Sequence, residues 1–576
     1  MMIYKEKIKN IFRKISQNAA VAGAVSYILD NKWLWAVLAY CVLLHYAECL
    51  CFYFGSIKKS VGNPFIQGLW SWLALFGIGM LAGGRAAKII LTFLVILQTL
   101  VFSISAFLSL TFSLTLRADA FAVLAVSSVQ EITEFCSVFL NMKGLLGVLA
   151  GILVLTLVLT ALWKNPVKRK IYLYVISAIL ILPQLINAIR FSVNEEYEDI
   201  YCRNSIAKLV SEFLEYRENI QYLFGMMNHP QLPAGVRCAA NDEDLTAVLV
   251  LGESATRFHH SIYGYPRNTS PLLNEIRDKL LIFTDVISGF AHTVQSCLYM
   301  FTTEDKLHPR DYRYTMFDIF KAAGFKVYFF SNQFRWGEYD SPIGMISAHA
   351  DKRAFAQEEK PNSFDDSLLK MLETALRKKG KKLIVLHLIG SHANYKQRSP
   401  ASFKVFTDKN RLSPPCEVDD WDQVDEYDNS ILFTDHVLRQ TADQLKGYKG
   451  AAFMLYCSDH GDFPEQIVRQ PRSADSKSIE PYEIPFILYA NPVYREKYTD
   501  FLNGVRKNVD KPYMTDQLMY SMFSASRITF DGFPYEKDLF SPEFIPPSER
   551  QIGRSSNFYH SRGNPYLLKN SSPSKK

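Results

Sequence analysis

Four apolar segments in the second half of the chain end in polar side chains that could bind a metal or a phosphate. In chain order, these groups contain Glu253 and Ser254, Asn332, His387 to His392, and Asp459 with His460. A single polar residue after a strand is often only a turn or helix-capping residue. Because ligands and metals bind at the carboxyl ends of strands in α/β sheets, four such groups predict one shared site.

The residue types in these groups suit zinc chemistry. Glu253, Asp459 and His460 would supply three oxygen and nitrogen ligands, which leaves one tetrahedral position open, as catalytic zinc requires. A hydroxyl or thiol at that position could be deprotonated and act as a nucleophile. A glycine-containing loop that leads into a predicted helix start, a place that favours anions, offers three candidates that chemistry alone leaves open: Thr293, Ser296 and Cys297.

The elements that must position these residues read as an α/β fold. Continuous apolar runs predict strands at 247–251, 327–330, 383–387, 453–456 and 484–488. Helical patterns at 363–378 and 425–445 separate some of them. Apolar strands that alternate with helices are typical of a mainly parallel sheet that is buried on both faces.

The first half of the chain has a different character. Five apolar stretches, each long enough to approach or cross a hydrocarbon core of about 30 Å, predict transmembrane helices at 34–54, 66–82, 89–114, 145–163 and 171–189. The segment before the first stretch and the connection at 164–170 are basic, which favours a cytoplasmic N-terminus. Five crossings then put everything after Arg190 on the outer side.

The predicted organisation has four parts. Residues 1–190 form a transmembrane domain of five helices, 191–240 form bridging helices and a linker, 241–545 form the catalytic domain, and 546–576 form a tail. The formal net charge is +7 in 576 residues, but the soluble half has no basic run with interleaved aromatic residues. This pattern argues against a nucleic-acid partner.

Four motifs, in this order, resemble the alkaline phosphatase and sulfatase superfamily, and within it the membrane-bound phosphoethanolamine transferases of Gram-negative envelopes. They are Val250-Leu251-Gly252-Glu253-Ser254, Tyr263-Gly264-Tyr265-Pro266-Arg267-Asn268-Thr269-Ser270-Pro271, the HxxGSH run from His387 to His392, and Ser458-Asp459-His460-Gly461. The family nucleophile is a threonine eight residues before the phenylalanine of a Met-Phe pair. Met300-Phe301 therefore indicates Thr293. The resemblance covers nearly the whole chain and implies five transmembrane helices followed by a periplasmic sulfatase-like domain.

The resemblance also implies roles for the site residues. The catalytic zinc would be held by Glu253, Thr293, Asp459 and His460. The phosphoryl site or a second metal would be lined by His387, His392 and Asn332, and His392 would transfer protons. Ser127 and Glu131, in the long connection 117–143, lie where the family has a Thr-x-x-x-Glu pair implicated in donor-lipid binding.

The reaction expected from the resemblance transfers phosphoethanolamine from phosphatidylethanolamine to a lipopolysaccharide acceptor, either a core heptose or lipid A. It would pass through a covalent phospho-threonine. The partners expected are therefore these two substrates and the surrounding membrane lipids.

Three departures from the family pattern bear on this reading. Family members commonly carry another histidine after the DHG motif, but 463–483 contains none, which puts a second metal in doubt. Asp462 stands where a glutamate is common, and Tyr299 occupies the position of one of the paired cysteines of the lipid A branch. The chain looks closer to the branch that modifies the lipopolysaccharide core.

Other readings stay open at this point. A lipoteichoic-acid-type glycerol-phosphate transferase would share the five-helix plan and the threonine nucleophile but would use phosphatidylglycerol. A catalytically weakened envelope protein that binds lipid headgroups would explain the missing histidine. A sulfatase is disfavoured because no Cys/Ser-x-Pro-x-Arg sequence surrounds the nucleophile.

Overall fold

A mixed seven-stranded β-sheet lies at the centre of the C-terminal half in the computed structural model of this protein. The structure describes residues 26, 29–53, 62–112, 142–165, 174–182, 205–240, 244–306, 308, 310–333, 342–410, 418, 420–465, 479–553 and 557–559. The strands are β1 Arg237–Cys238, β2 Thr246–Gly252, β3 Leu280–Ile282, β4 Val286–Ile287, β5 Lys326–Ser331, β6 Lys352–Phe355, β7 Lys382–His387, β8 Ala452–Ser458, β9 Phe486–Ala490, β10 Tyr513–Met514, β11 Ile528–Thr529, β12 Gln551–Ile552 and β13 Asn557–Phe558.

The sheet has the order β3-β9-β8-β2-β7-β5-β6. The five strands from β8 to β6 are mutually parallel, which confirms the expectation of parallel pairing for this part. The predicted sheet is mainly parallel, and the observed sheet is mixed, because β9 runs antiparallel to β8 and pairs antiparallel with β3. The short edge strands β3 and β6 were not predicted, because three or four residues are too few to show a periodic pattern.

The helices are α1 Lys32–Tyr53, α2 Gly62–Leu81, α3 Gly84–Phe112, α4 Met142–Lys164, α5 Ser205–Asn228, α6 Pro271–Asn274, α7 Thr293–Phe301, α8 Met316–Ala322, α9 Pro342–Ala348, α10 Ala356–Glu359, α11 Ser367–Leu376, α12 Trp421–Gly447, α13 Pro492–Lys497, α14 Thr499–Arg506 and α15 Leu518–Ala525. Two of them, α11 and α12, confirm the helices predicted at 363–378 and 425–445.

Both faces of the sheet are covered, as its continuous apolar strands require. Leu249 and Leu251 of β2 pack on one face, in a cluster that includes residues of α7, α8 and α15. Val248 and Val250 point to the other face, in a cluster that includes residues of α11 and α12. All seven residues of β2 are buried, and the same is true of β8. This double burial fixes the central strands whose carboxyl ends carry the site.

The chain separates into two compact units, with the boundary inside α5 between residues 216 and 217. The helices α1 to α4 belong to the first unit and coincide with the first four predicted membrane segments, and residues 174–182 are helical within the fifth. Within the described residues, one helix, Gly84–Ile104 in α3, is long and apolar enough to cross a membrane. The number of spans and the orientation therefore stay predictions.

The helices α3 and α4 carry apolar side chains on their outer surface. Phe93 and Leu157 are 64% and 61% exposed, as lipid-facing residues of a membrane bundle would be. Inside the unit, Tyr40 of α1 contacts Thr99 of α3 through their hydroxyls, 3.0 Å apart. Polar contacts of this kind tie helices together where lipid offers no hydrogen bonds.

Candidate active site

The carboxyl ends of β2, β7 and β8 bring three of the predicted groups together. These strands are parallel neighbours, and their register places Leu251 opposite His387 and Gly252 opposite Ser458. Glu253 and Asp459, the next residues on β2 and β8, therefore lie side by side. Pairing of β2 with β8 thus brings together two carboxylates that are about two hundred residues apart in the sequence.

Glu253, Asp459 and His460 form one buried triad. Their candidate ligand atoms lie within 4.8 Å of one another, and among the residues that the structure describes this is the one such group of histidine, cysteine and carboxylate side chains. His460 Nε2 is 3.3 Å from Glu253 Oε1 and 3.7 Å from Asp459 Oδ2. Two carboxylates and an imidazole in this arrangement fit a Zn²⁺ ion.

Hydrogen bonds around the triad orient it toward a cation. Asp459 Oδ1 accepts the backbone N–H groups of Ser254, at 3.1 Å, and His460, at 2.7 Å. Asp459 Oδ2 is buried and has no hydrogen-bond partner among the described residues. His460 Nδ1 donates to the carbonyl oxygen of Gly461 at 2.7 Å, which leaves Nε2 as the atom to coordinate a metal.

The electrostatics of the triad point the same way. Burial and then the charge of Glu253 raise the pKa of Asp459 to about 7. Burial would lower the pKa of His460, but the charges of Asp459 and Glu253 outweigh it and raise that pKa to about 10. Two carboxylates this close and this buried need positive charge, which a bound metal ion supplies.

Thr293 is the first residue of α7 and reaches the triad. Its hydroxyl donates to both Glu253 carboxylate oxygens, with Oγ1 3.2 Å from Oε1 and 3.1 Å from Oε2. The other two candidate nucleophiles have different surroundings. Ser296 Oγ contacts the carbonyl oxygen of Phe290 and the hydroxyl of Ser288, and Cys297 is fully buried with its pKa raised by that burial. The geometry therefore favours Thr293, which is also partly exposed.

Gln333 is a site residue that sequence reasoning missed. Its side-chain amide donates to Glu253 Oε2 at 3.2 Å and to the carbonyl oxygen of Leu388 at 3.1 Å. Ser254 Oγ donates to the other Glu253 oxygen at 2.8 Å. The sequence indicates a polar turn after β5, but the residue that it favours there is Asn332, which precedes Gln333.

The structure does not bring Asn332 to the triad. Its amide group donates to Asp365 at 2.9 Å and to the carbonyl oxygen of Ser363, and its oxygen accepts from Ser363 Oγ at 2.8 Å. Asp365 in turn accepts the backbone N–H groups of Ile389 and Gly390. Asn332 is thus a buried connection that shapes the loop after β7, instead of a group that lines the predicted phosphoryl site.

The loop after β7 wraps around the backbone of Glu253. Ser391 N donates to Glu253 O at 2.9 Å. Gly390 has a φ of +51°, and a Cβ atom there would lie 2.8 Å from both Glu253 N and Glu253 O. Only glycine fits this close approach.

His387 and His392 occupy different environments in this loop. His387 ends β7, is buried, and has Nδ1 3.0 Å from Ser331 Oγ; burial lowers its pKa to about 4. His392 is partly exposed. His392 is therefore the one of the two that substrate could reach. Ser127 and Glu131 lie outside the described residues.

The Tyr263-to-Pro271 motif forms a buried charged network beside the site. Arg267 contacts Asp428 at 2.7 Å and also contacts Asp425. His259 lies between two carboxylates, with Nδ1 2.7 Å from Asp428 and Nε2 2.9 Å from Glu465. These contacts join the chain after β2 to α12 and to the chain after β8.

Comparison with known proteins places this geometry in a family context. The Sulfatase family model matches residues 246–528. The chain is 27% identical over 455 residues to the phosphoethanolamine transferase EptC of Escherichia coli O18:K1:H7, which covers 73% of this chain and 77% of that protein.

Two solved structures extend the comparison. The C-terminal periplasmic domain of EptC from Escherichia coli, in complex with Zn, is 26% identical with a TM-score of 0.51, and the match covers 56% of this chain and 94% of that one. The integral membrane phosphoethanolamine transferase A of Neisseria meningitidis shares the fold, with a TM-score of 0.63 at 18% identity, over 88% of this chain and 98% of that one.

Proposed function

Because the chain belongs to the phosphoethanolamine transferase family of the alkaline phosphatase superfamily, we propose that it transfers phosphoethanolamine from phosphatidylethanolamine to a lipopolysaccharide acceptor. The acceptor is a core heptose or lipid A. The observation that carries the proposal is the contact of the Thr293 hydroxyl with both oxygens of Glu253 in a buried metal-binding triad.

The metal of this proposal is zinc, held by Glu253, Asp459, His460 and Thr293. The oxygen and nitrogen donor set and the open Asp459 Oδ2 support it, and the zinc complex of the related periplasmic domain agrees with it. Zinc bound there lowers the pKa of a coordinated hydroxyl and neutralises charge on a phosphoryl oxygen.

The proposed reaction has two halves that use the same residues. Deprotonated Thr293 Oγ1 forms a bond to the donor phosphorus while the bond from phosphorus to the diacylglycerol oxygen breaks. His392 gives that oxygen a proton, so diacylglycerol leaves and phosphoethanolamine stays on Thr293. In the second half, His392 takes the proton from the acceptor hydroxyl or phosphate, whose oxygen displaces Thr293 from phosphorus.

The location that fits this chemistry is the inner membrane, with the N-terminus in the cytoplasm and the catalytic domain in the periplasm. The expected five spans would produce this arrangement, and the solved relatives include a periplasmic domain and an integral membrane protein. Donor and acceptor would then lie in the same outer leaflet. Ser127 and Glu131 would contact the donor headgroup.

The test is to trap the covalent intermediate. Purified full-length protein is incubated with phosphatidylethanolamine, and the peptide that contains Thr293 is analysed by mass spectrometry. A mass increment of one phosphoethanolamine group on Thr293 is expected, and Thr293→Ala should show none, whereas Thr293→Ser keeps a hydroxyl and should be labelled more slowly. Labelling from phosphatidylglycerol instead would favour the glycerol-phosphate alternative, and envelope glycolipids from cells with and without the gene would identify the acceptor.

A further inference from the structure

Residues beyond the matched sulfatase region return to the candidate active site. The strands β12 and β13 pair with each other after residue 550, although the sequence predicts that the catalytic domain ends at 545. Gly553 N donates to the carbonyl oxygen of Gly289 at 3.0 Å. Gly289 lies four residues before Thr293, in the loop that leads into α7. The residues 550–553 and 557–559 are called the C-terminal strap below.

Lys306 contacts both the strap and the loop that leads into α7. Its Nζ donates to the carbonyl oxygen of Gly553 and lies 3.7 Å from the centre of the Phe290 ring. Phe290 packs edge-on against Tyr299 of α7, with ring centres 4.9 Å apart. Because an ammonium over an aromatic face is attracted to the ring, one side chain holds the strap, the loop and α7 together.

Tyr559 forms the second attachment of the strap. Its hydroxyl donates to Glu483 Oε1, and the other oxygen of this fully buried carboxylate accepts from Arg257 Nε. The Tyr559 ring is buried in a small cluster that includes Ile287 and Ala291, which flank the same loop. The guanidinium of Arg550 lies over the ring, 4.6 Å from its centre.

Residues 481–483, which include the Glu483 that Tyr559 contacts, form hydrogen bonds with both the Thr293 loop and the chain next to the triad. Ser288 N donates to the carbonyl oxygen of Tyr482 at 2.8 Å, on the side of the Thr293 loop. Gly461 N donates to the carbonyl oxygen of Pro481 at 2.7 Å, on the side of the zinc triad. Gly461 is also the residue whose carbonyl oxygen accepts from His460 Nδ1. Through the buried carboxylate of Glu483, the strap is therefore attached to residues 481–483, which bond to the loop before Thr293 on one side and to Gly461, next to His460, on the other.

We propose that the C-terminal strap holds Thr293 in line with the triad, with Gly553 and Tyr559 as positioning residues for the transfer reaction. The inference rests on the proposed function, because it takes Thr293 as the nucleophile. The strap makes no bond to Glu253, Asp459 or His460 among the described contacts. Its loss should therefore slow the chemical step more than it weakens metal or donor binding.

The experiment compares two shortened forms of the membrane-bound protein. One ends after Glu549 and lacks the strap, and the matched control ends after Tyr559 and keeps it. We expect the first form to lose at least about tenfold in kcat, because a small misplacement of a reacting group is costly, while its KM for phosphatidylethanolamine and its zinc content stay within about twofold. The control should match the full chain.

Point variants cover the case in which the first form does not fold. Tyr559→Phe removes only the hydroxyl that donates to Glu483, and Tyr559→Ala removes the buried ring as well. We expect a graded fall in kcat in this order, again with zinc content unchanged. Full activity in Tyr559→Ala, or in the folded form that ends after Glu549, would overturn the inference.

A second readout separates this inference from the proposed function. Hydrogen exchange of residues 288–298 should become at least about tenfold faster without the strap, while exchange in β2 stays slow, because only the loop loses its attachment. If the full chain forms no phosphoethanolamine adduct yet this exchange changes as expected, the proposed function fails, and only the attachment of the Thr293 loop by the strap is supported. Unchanged exchange in an active protein contradicts the positioning role.

Discussion

Glu253 is the residue on which the contacts of the site converge, and Gln333 is its least expected partner. Gln333→Ala should leave Glu253 Oε2 without one of its donors. Because such outer partners orient metal ligands, we expect zinc affinity to fall about 10- to 100-fold and activity at limiting zinc to fall with it. Titration of the metal-free protein with zinc measures this. Gln397→Ala, at an exposed glutamine, is the matched control and should change nothing.

Asp459 offers the sharpest test of the metal site. In Asp459→Asn the buried Oδ2 loses its charge, so we expect the purified protein to lose most of its zinc and all measurable transfer. The matched variant is Asp462→Asn, three residues away, whose carboxylate accepts from Tyr395 at 2.6 Å and has no part in the triad. Metal analysis of the two proteins should differ clearly. Equal loss of zinc in both would contradict the assignment of Asp459 as a ligand.

At the scale of residues, the sequence predicts the triad well because its members follow apolar strands directly. The backbone of the strand fixes where the next side chain lies, so Glu253 and Asp459 meet as soon as β2 and β8 pair. Asn332 also follows its strand, β5, directly, but its side chain contacts Asp365, whereas Gln333, one residue further into the turn, reaches Glu253. Which of the two faces Glu253 depends on turn geometry that the residue pattern does not contain.

The loop after β7 carries a prediction at the scale of elements. Gly390→Ala would place a methyl group 2.8 Å from the backbone of Glu253 at a positive φ, so either the loop or Glu253 must move. We expect a loss of about 1–3 kcal/mol in the free energy of unfolding and a larger proportional loss of activity. Gly504→Ala in α14 has open space around it and should be neutral or slightly stabilising. Denaturant titration and donor turnover together check both variants.

The network around His259 predicts a pH dependence. Burial would lower the pKa of His259, but the charges of Glu465 and Asp428 raise it to about 10, above its ordinary value of 6.5. A raised folded pKa contributes stability that is complete below about pH 6.5 and is lost as the pH rises toward 10, at up to about 1.4 kcal/mol per unit.

The thermal midpoint in detergent should therefore fall between pH 7 and pH 10 in the wild-type protein and fall less in His259→Gln. His229→Gln, at an exposed histidine, serves as the control and should follow the wild type. A slope in His259→Gln as steep as that of the wild type would assign the pH dependence to other groups.

The strands of the sheet show which parts of the fold a sequence reveals. The central strands β2, β5, β7 and β8 are predictable because burial on both faces makes them continuous apolar runs. The direction of β9 is not predictable, because an apolar run has the same pattern whether the strand is parallel or antiparallel to its neighbour. The edge strands are too short to predict, and the C-terminal strap is held by single side chains and one backbone bond, which leave no periodic signal.

At the scale of the whole molecule, the two compact units predict a division of labour. A soluble form that begins at residue 217 keeps the sheet and the triad, so we expect it to hydrolyse a small soluble phosphodiester at a rate within about threefold of the full chain. Transfer between lipids in mixed vesicles should fall at least about 100-fold, because the form lacks the predicted transmembrane helices that would keep the site at the membrane surface. Parallel assays of the two forms measure the ratio, and equal vesicle activity would contradict a role for these helices.

The two edges of the seven-stranded sheet bear on how the domain avoids aggregation while it folds. A long exposed strand edge is a template for intermolecular pairing. Here the sheet ends in β3, of three residues, and β6, of four, so each edge offers few free backbone groups. The sheet therefore offers little edge for pairing with other copies of the chain before folding is complete.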